Sequence, residues 1–323
     1  MEVSKLCIFI ASHISNPKRI VYLQECLLSL VHQTIPITIY LSISFETKEL
    51  RDQLENVIAS SREIMASQKL ELRIREQKTP QMRHIKLLYE EIALNCRHEW
   101  IMFCDDDDTY KPERVYKIGS LLASSFTLKI ETGQMIVGVY ESTFGKDHRE
   151  HRHEFWCYCV HREILGRFLT KIEPFPDVLD NKCCDVLFAE YLRRSNQNLL
   201  FLRLEDPCYN YRVDDNNDSI TGFIKTNQHH YSVRSIPPPE GDPSWPDYVL
   251  DWNDYLYENM HVFLHDVYLR TIVGCNLEFI LEQEFRANVP LLPYVDESHY
   301  TKIKALHERV QMACNFIYDI PIR

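Results

Sequence analysis

Asp105, Asp106, Asp107 and Asp108 stand side by side directly after the apolar run Trp100-Ile101-Met102-Phe103-Cys104. Four like charges this close repel one another and do not all stay ionised without a counter-cation. Carboxylate oxygens suit a hard divalent ion, Mg²⁺ or Mn²⁺, which completes its shell with water and phosphate oxygens. The chemistry implied is a metal-diphosphate site. A structural alternative is that Thr109 caps a helix opening at Pro112, whose dipole favours nearby acids. That accounts for one or two aspartates, not four.

A second polar stretch, Asp147 to Glu154, carries His148, His151 and His153 at H-x-x-H-x-H spacing just before Phe155-Trp156. Histidine clusters bind transition metals, but interleaved Arg and Glu mark a solvated loop of mixed charge, which is the favoured reading. His153 and Trp156 are also candidates for binding a second substrate, the indole offering a flat face. His229-His230 reads as an exposed pair.

The elements that must position these groups alternate. Leu6 to Ser12, Ile37 to Ser44, Leu70 to Ile74 and Trp100 to Cys104 read as strands. Lys18 to Val31, Thr47 to Met65 and Met82 to Leu94 repeat apolar residues at helical spacing. This β-α-β-α-β-α-β order implies a mainly parallel sheet with helices on its faces, and ligands of such sheets bind outside the strands' carboxyl ends, where the tetrad falls. Beyond it we expect a helix from Pro112 to about Ser124, strands at Met135 to Tyr140 and Phe155 to Val160, and helices near Arg162 to Leu169 and Asp185 to Arg194. A last strand follows at Leu199 to Leu202. The proline-dense segment 236–246 reads as a linker, and Tyr248 to Phe285 and Ser298 to Tyr318 as helices. The expected organisation is a catalytic domain over 1–235, split into halves 1–110 and 111–235, and a helical extension over 247–323.

Composition narrows the function. A net charge of −11 and pI near 5.7 argue against a general nucleic-acid binder. No apolar stretch approaches a membrane span, and the eleven cysteines form no C-x-x-C pair. With no export signal in view, free thiols in a reducing compartment and a cytoplasmic, soluble protein are expected. Neither a P-loop nor G-x-G-x-x-G is present, so a bound diphosphate would be met by metal and side chains, not by a glycine-rich loop.

In order along residues 4 to 222 come Ser29-Leu30-Val31-His32-Gln33-Thr34, Trp100 to Pro112, Cys184-Asp185-Val186-Leu187 and Tyr209-Asn210-Tyr211-Arg212. This resembles the GT-A fold glycosyltransferases, particularly the family-2-like group that uses nucleotide-diphosphate sugars. The segments are similar to that family's "SL..Q" helix end, its strand with D-x-D-D and Pro, its "ED-x-x-L" helix start and its "Y-x-Y-R" strand end. The resemblance implies a Rossmann-like, mainly parallel mixed sheet flanked by helices, here with a helical C-terminal extension. It implies a Mn²⁺ or Mg²⁺ ion, a nucleotide-diphosphate sugar donor and a glycan or other hydroxyl acceptor, with inversion at the transferred sugar. Asp107 and Asp105 match the metal-binding pair, with Asp108 assisting. Ser12, His13, Ser44, Arg83, Asp105, Asp106 and Arg212 fall where the donor is held. Asp185 matches the catalytic base, with Asp180 and Asp177 as nearby substitutes; its structural alternative is a helix cap. Two departures stand out. No acid ends the second strand, which offers Ser42, Ser44 and then Glu46, and Cys183-Cys184 precede Asp185 where the family has a glycine and an acid. A nucleotidyltransferase, a metal-dependent phosphohydrolase and a non-catalytic sugar or protein binder are the competing functions.

Overall fold

The computed structural model of the chain describes residues 5–61, 68–93, 98–132, 135–141, 154–194, 199–212, 238–239, 241–285 and 291–318. It divides into two compact units, Met1–Arg212 and Val213–Arg323. The first unit is built on a seven-stranded sheet. In chain order its elements are β1 (Leu6–Ile14), α1 (Pro17–Val31), β2 (Thr38–Phe45), α2 (Lys48–Ser61), β3 (Lys69–Ile74), α3 (Gln81–Ala93) and β4 (Trp100–Asp105). These follow the sequence expectation closely. They are followed by β5 (Thr109–Tyr110), α4 (Arg114–Thr132), β6 (Met135–Glu141), a 3₁₀ turn at Phe155–Cys157, β7 (Tyr158–His161), α5 (Arg162–Ile172), α6 (Pro176–Leu179), α7 (Cys184–Arg194), β8 (Leu199–Leu204) and β9 (Tyr209–Asn210).

The strand order is β3-β2-β1-β4-β7-β6-β8. β3, β2, β1 and β4 are parallel, β7 runs antiparallel to both β4 and β6, and β6 pairs parallel with β8. The mainly parallel mixed sheet flanked by helices is therefore present. Strand order grows from β1 toward β3, then turns back to β4 on the other side of β1. That reversal opens a crevice at the carboxyl ends of β1 and β4, the place where open α/β sheets take ligands. The register sets Ala11 opposite Asp105, so Ser12 and His13 run alongside the aspartates.

The helices lie where their apolar stripes require. In α1, Asn16 accepts from the backbone N–H groups of Lys18 and Arg19, Pro17 fits the first turn, and Ile20, Leu23, Leu27, Leu30 and Val31 are buried. In α3, Ile85, Leu88 and Ile92 are buried as the periodicity predicts. β6 has a local constraint: a Cβ on Gly138 would stand 2.3 Å from the Cys159 carbonyl oxygen, beside the register shift in its pairing with β8.

Four differences from the sequence expectation have physical reasons. Phe155 to Cys157 is a 3₁₀ turn, so the strand there starts only at Tyr158. β5 and β9 pair as a two-residue antiparallel ribbon, too short for any periodicity to announce. The single helix expected over Tyr248 to Phe285 is two, α8 (Trp245–Ile272) and α9 (Leu277–Phe285), because Gly274 takes φ 98° and ends the first. α8 begins inside the expected linker, with Pro246 suited to a first turn. With α10 (Glu297–Ile317), these helices bury Trp252, Leu256, Phe263, Val267, Ile280, Phe285 and Ile303 as the second unit's own core. No described helix is long and apolar enough to cross a membrane.

Candidate functional site

The tetrad turns out of β4 as a tight bend, closed by the Asp108 N–H on the Asp105 carbonyl at 3.2 Å. Its side chains fall into two kinds. Asp106 and Asp108 are 4 % and 1 % exposed and point into protein. Asp106 accepts from the Ser12 hydroxyl on one oxygen and from Arg19 Nη2 on the other. Asp108 accepts from the Tyr209 hydroxyl at 2.7 Å and from the Arg212 backbone N–H at 2.7 Å. Asp105 and Asp107 are half-exposed. Asp105 accepts from Gln81 Nε2 at 2.8 Å, and Asp107 from Arg19 Nη1 at 2.9 Å.

Electrostatics follow from this packing. Burial, moderated by Arg19, pushes Asp106 up to about 6, and burial again pushes Asp108 up to about 7. Asp105 is raised well above the carboxylate range by removal from water and then by Asp108, Asp107 and Asp185. Burial works against the charge of Arg19, but Asp106 and Asp107 outweigh it and raise its pKa. Arg212 meets the bend through its backbone and its guanidinium. Its Nε donates to the Asp107 carbonyl at 2.7 Å, its Nη2 to Glu25, and its guanidinium lies 4.4 Å over Tyr22.

Arg19 thus pairs with Asp106 and Asp107, while Asp105 and Asp108 accept from the neutral side chains of Gln81 and Tyr209, and the atoms the tetrad offers a cation are oxygens. That set fits a hard divalent ion held through Asp105 and Asp107. Among the described residues no three His, Cys, Asp or Glu side chains form a metal cage. An ion that keeps its waters and takes phosphate oxygens needs only one or two carboxylates.

Beside the tetrad runs a chain of hydrogen bonds. His13 lies opposite Ser44 across the β1–β2 pair. Arg75 Nε donates to Ser42 Oγ at 2.9 Å, and His84 lies between Ser42 (2.8 Å) and Ser44 (3.3 Å). His13 Nδ1 meets Ser44 Oγ at 2.9 Å and its Nε2 meets Glu46 at 2.9 Å. Burial, then the neighbouring Arg75 and His13, lower His84 to about 3, so it is neutral with one donor nitrogen. Only one direction gives every hydroxyl hydrogen an acceptor within the chain. Ser42 donates to His84 Nδ1, His84 Nε2–H to Ser44, Ser44 to His13 Nδ1, and His13 Nε2–H to Glu46. This assignment comes from the network, as tautomers must. Ser44 is fully buried.

The three candidate bases also separate. Asp180 holds Arg83 in a two-pronged pair, 2.8 Å in each prong, so these two predicted site residues engage each other. Asp177 is exposed on α6. Asp185 opens α7, is half-exposed, and its charge acts on Asp105. Of the three, it is the one whose charge is felt at Asp105.

Trp156 does not present an open face. It is 3 % exposed and stacks on Tyr209 at 4.1 Å and Tyr211 at 5.2 Å between ring centres. The aromatic signal there is core, because the indole supports the tyrosine whose hydroxyl holds Asp108. His153, the rest of the histidine loop and His229-His230 lie outside the described residues. In the second unit Trp252 and Tyr268 are buried, while Tyr257 is exposed.

Several supporting residues carried no readable signal. Arg19 follows an ordinary helix start, and nothing in Asn16-Pro17-Lys18 forecasts its ion pairs. Arg114 and Glu141 form a fully buried ion pair, with the Arg114 guanidinium 4.0 Å from the Tyr110 ring and 4.9 Å from that of Tyr209. Gln33 was visible as a motif letter, and the structure gives its reason. Its amide donates to the Lys111 carbonyl at 3.0 Å and accepts from Val115 N–H at 3.1 Å, tying the end of α1 to the segment after the tetrad.

No family model matches the chain, and no curated protein matches it. Solved structures similar to it include residues 1–349 of S. aureus TarS, at 12 % identity over 97 % of this chain and 90 % of that one, with a TM-score of 0.42. A longer TarS structure gives 13 % identity over 97 % of this chain and 55 % of that one, with a TM-score of 0.41. A third is the mannosyltransferase PcManGT from Pyrobaculum calidifontis in complex with GDP-Man and Mn²⁺, at 13 % identity over 95 % and 86 %, TM-score 0.45. At this distance the likeness is one of outline, and the functional reading rests on this chain's own side chains.

Proposed function

We infer that this chain is a metal-dependent, inverting glycosyltransferase that moves a sugar from a nucleotide-diphosphate donor to an acceptor hydroxyl. The observation that supports the reading is that Asp105 and Asp107, partly buried at the carboxyl end of β4 beside β1, remain accessible while Asp106 and Asp108 are held inside, with Asp185 at the start of α7 adding its charge to Asp105. Asp105 and Asp107 would hold Mn²⁺ or Mg²⁺, which when bound stabilises the charge developing on a departing diphosphate. Asp185 takes the proton of the acceptor hydroxyl as its oxygen attacks the anomeric carbon. The new glycosidic C–O bond forms on the face opposite the leaving group, the bond to the diphosphate breaks, and configuration inverts. Ser12 and Tyr209 keep Asp106 and Asp108 fixed, so the bend that aims Asp105 and Asp107 is held from inside. Glu46 at the mouth of β1 and β2, held by His13 with Ser44 behind it, offers a carboxylate acceptor for the nucleoside.

Calorimetric titration with UDP, GDP and dTDP, with and without Mn²⁺, tests this. The expected outcome is Mn²⁺-dependent binding of one nucleotide, lost in Asp107→Asn and kept in Asp185→Asn, which instead loses transfer. Absence of binding to all three nucleotides would sink the reading.

A further inference from the structure

We propose that Arg19 is the internal counter-cation of the tetrad, and that a divalent ion must displace it from Asp107 in order to bind. The inference rests on the donor-site reading above and concerns a residue that reading leaves without a role. Arg19 uses its guanidinium as a fork: Nη2 on Asp106 and Nη1 on Asp107. The two prongs are unequal. Asp106 is buried and its other oxygen is held by Ser12, so that prong is anchored. Asp107 is half-exposed and is one of the two carboxylates offered to a metal, so that prong lies on the ligand itself. The Arg19 side chain is only 15 % exposed, and the helix start that carries it is pinned by the Asn16 cap.

Two cations on one carboxylate oxygen repel, so Arg19 and a divalent ion compete for Asp107. Arginine stays charged at every accessible pH, and proton loss cannot relieve the competition. Release of Nη1 with Nη2 still on Asp106 leaves a guanidinium donor beside the position of the diphosphate, where planar donors match phosphate oxygens. Metal alone therefore binds weakly, and metal with a diphosphate binds well, because only the pair gives Arg19 a new partner for the one it loses.

The test uses Mn²⁺ itself, followed by electron paramagnetic resonance of the free ion, on the full chain and on Arg19→Gln and Arg19→Lys. Expected for Arg19→Gln is Mn²⁺ affinity, without nucleotide, at least about tenfold above wild type, and a thermal midpoint that rises on adding Mn²⁺ more than in wild type. Arg19→Lys keeps the charge but loses the fork; it should fall between the two and serves if the glutamine variant does not fold. The nucleotide's enhancement of Mn²⁺ binding should shrink in both variants. Wild-type Mn²⁺ binding with variants unchanged or weaker overturns the role of Arg19 and leaves the donor site standing. No Mn²⁺ binding by any of the proteins, with or without nucleotide, overturns both.

Discussion

Asp106 and Asp107 share one guanidinium, yet replacing each by asparagine has different consequences. Asp106 is buried against Arg19 and Ser12, so Asp106→Asn removes the buried anion that anchors Arg19 and should cost about 3 kcal/mol, read from the urea midpoint. Asp107 is more open to solvent, and Asp107→Asn should cost about 1 kcal/mol of stability while removing Mn²⁺-dependent nucleotide binding. His84 sets a pH dependence of its own. Its folded pKa of about 3 lies below the ordinary 6.5, so between these values the unfolded chain binds a proton that the folded one refuses. Its contribution is fully present above pH 6.5, declines as pH falls below that and levels off under about 3. Between pH 7.5 and pH 5 the loss is about 2 kcal/mol. Denaturation at both pH values should show a drop smaller by that amount in His84→Gln; equal drops would refute the neutral, buried histidine. At this scale the four aspartates were legible, since like charges in a row demand explanation. Their division into held and offered carboxylates was not, because it depends on Arg19, Ser12, Gln81 and Tyr209, which come from four other segments.

The β5–β9 ribbon and the ion pair beneath it govern Asp108 from a distance. Arg114 on α4 reaches Glu141 at the end of β6 and lies against Tyr110 and Tyr209, and Glu141 also accepts from the Cys208 N–H. Glu141→Gln leaves a buried guanidinium without its anion and should destabilise the fold by about 3–5 kcal/mol. The denaturant midpoint checks the size. The first four strands and three helices were readable because each carries a long apolar pattern of one period. The second half was less so, since its strands are short, one is broken by a 3₁₀ turn, and the ribbon spans two residues per strand. Nor could Trp156 be placed from its neighbours, because a tryptophan after a charged loop reads as exposed until Tyr209 and Tyr211 are seen to cover it.

The two units have separate cores, and their sequences speak with different clarity. In the second, dense Tyr, Trp and Phe at helical spacing leave open which rings are buried; Trp252 at 2 % exposure is core. Trp252→Ala should cost about 3–5 kcal/mol through the cavity it leaves, measured by denaturation of the full chain. In the first, the device that spans the most is α1. Its opening turn carries Arg19 to Asp106 and Asp107, and Gln33, two residues past its end, grips Lys111 and Val115 on the far side of the same tetrad. The helix is thus a ruler with a fixed phase as well as a fixed length. One alanine inserted between the two grips would rotate one against the other by about 100° and part them by about 1.5 Å. Calorimetry of such a protein should find Mn²⁺-dependent nucleotide binding lost although no residue of the site has been replaced, so the spacing between Arg19 and Gln33 is itself a functional quantity.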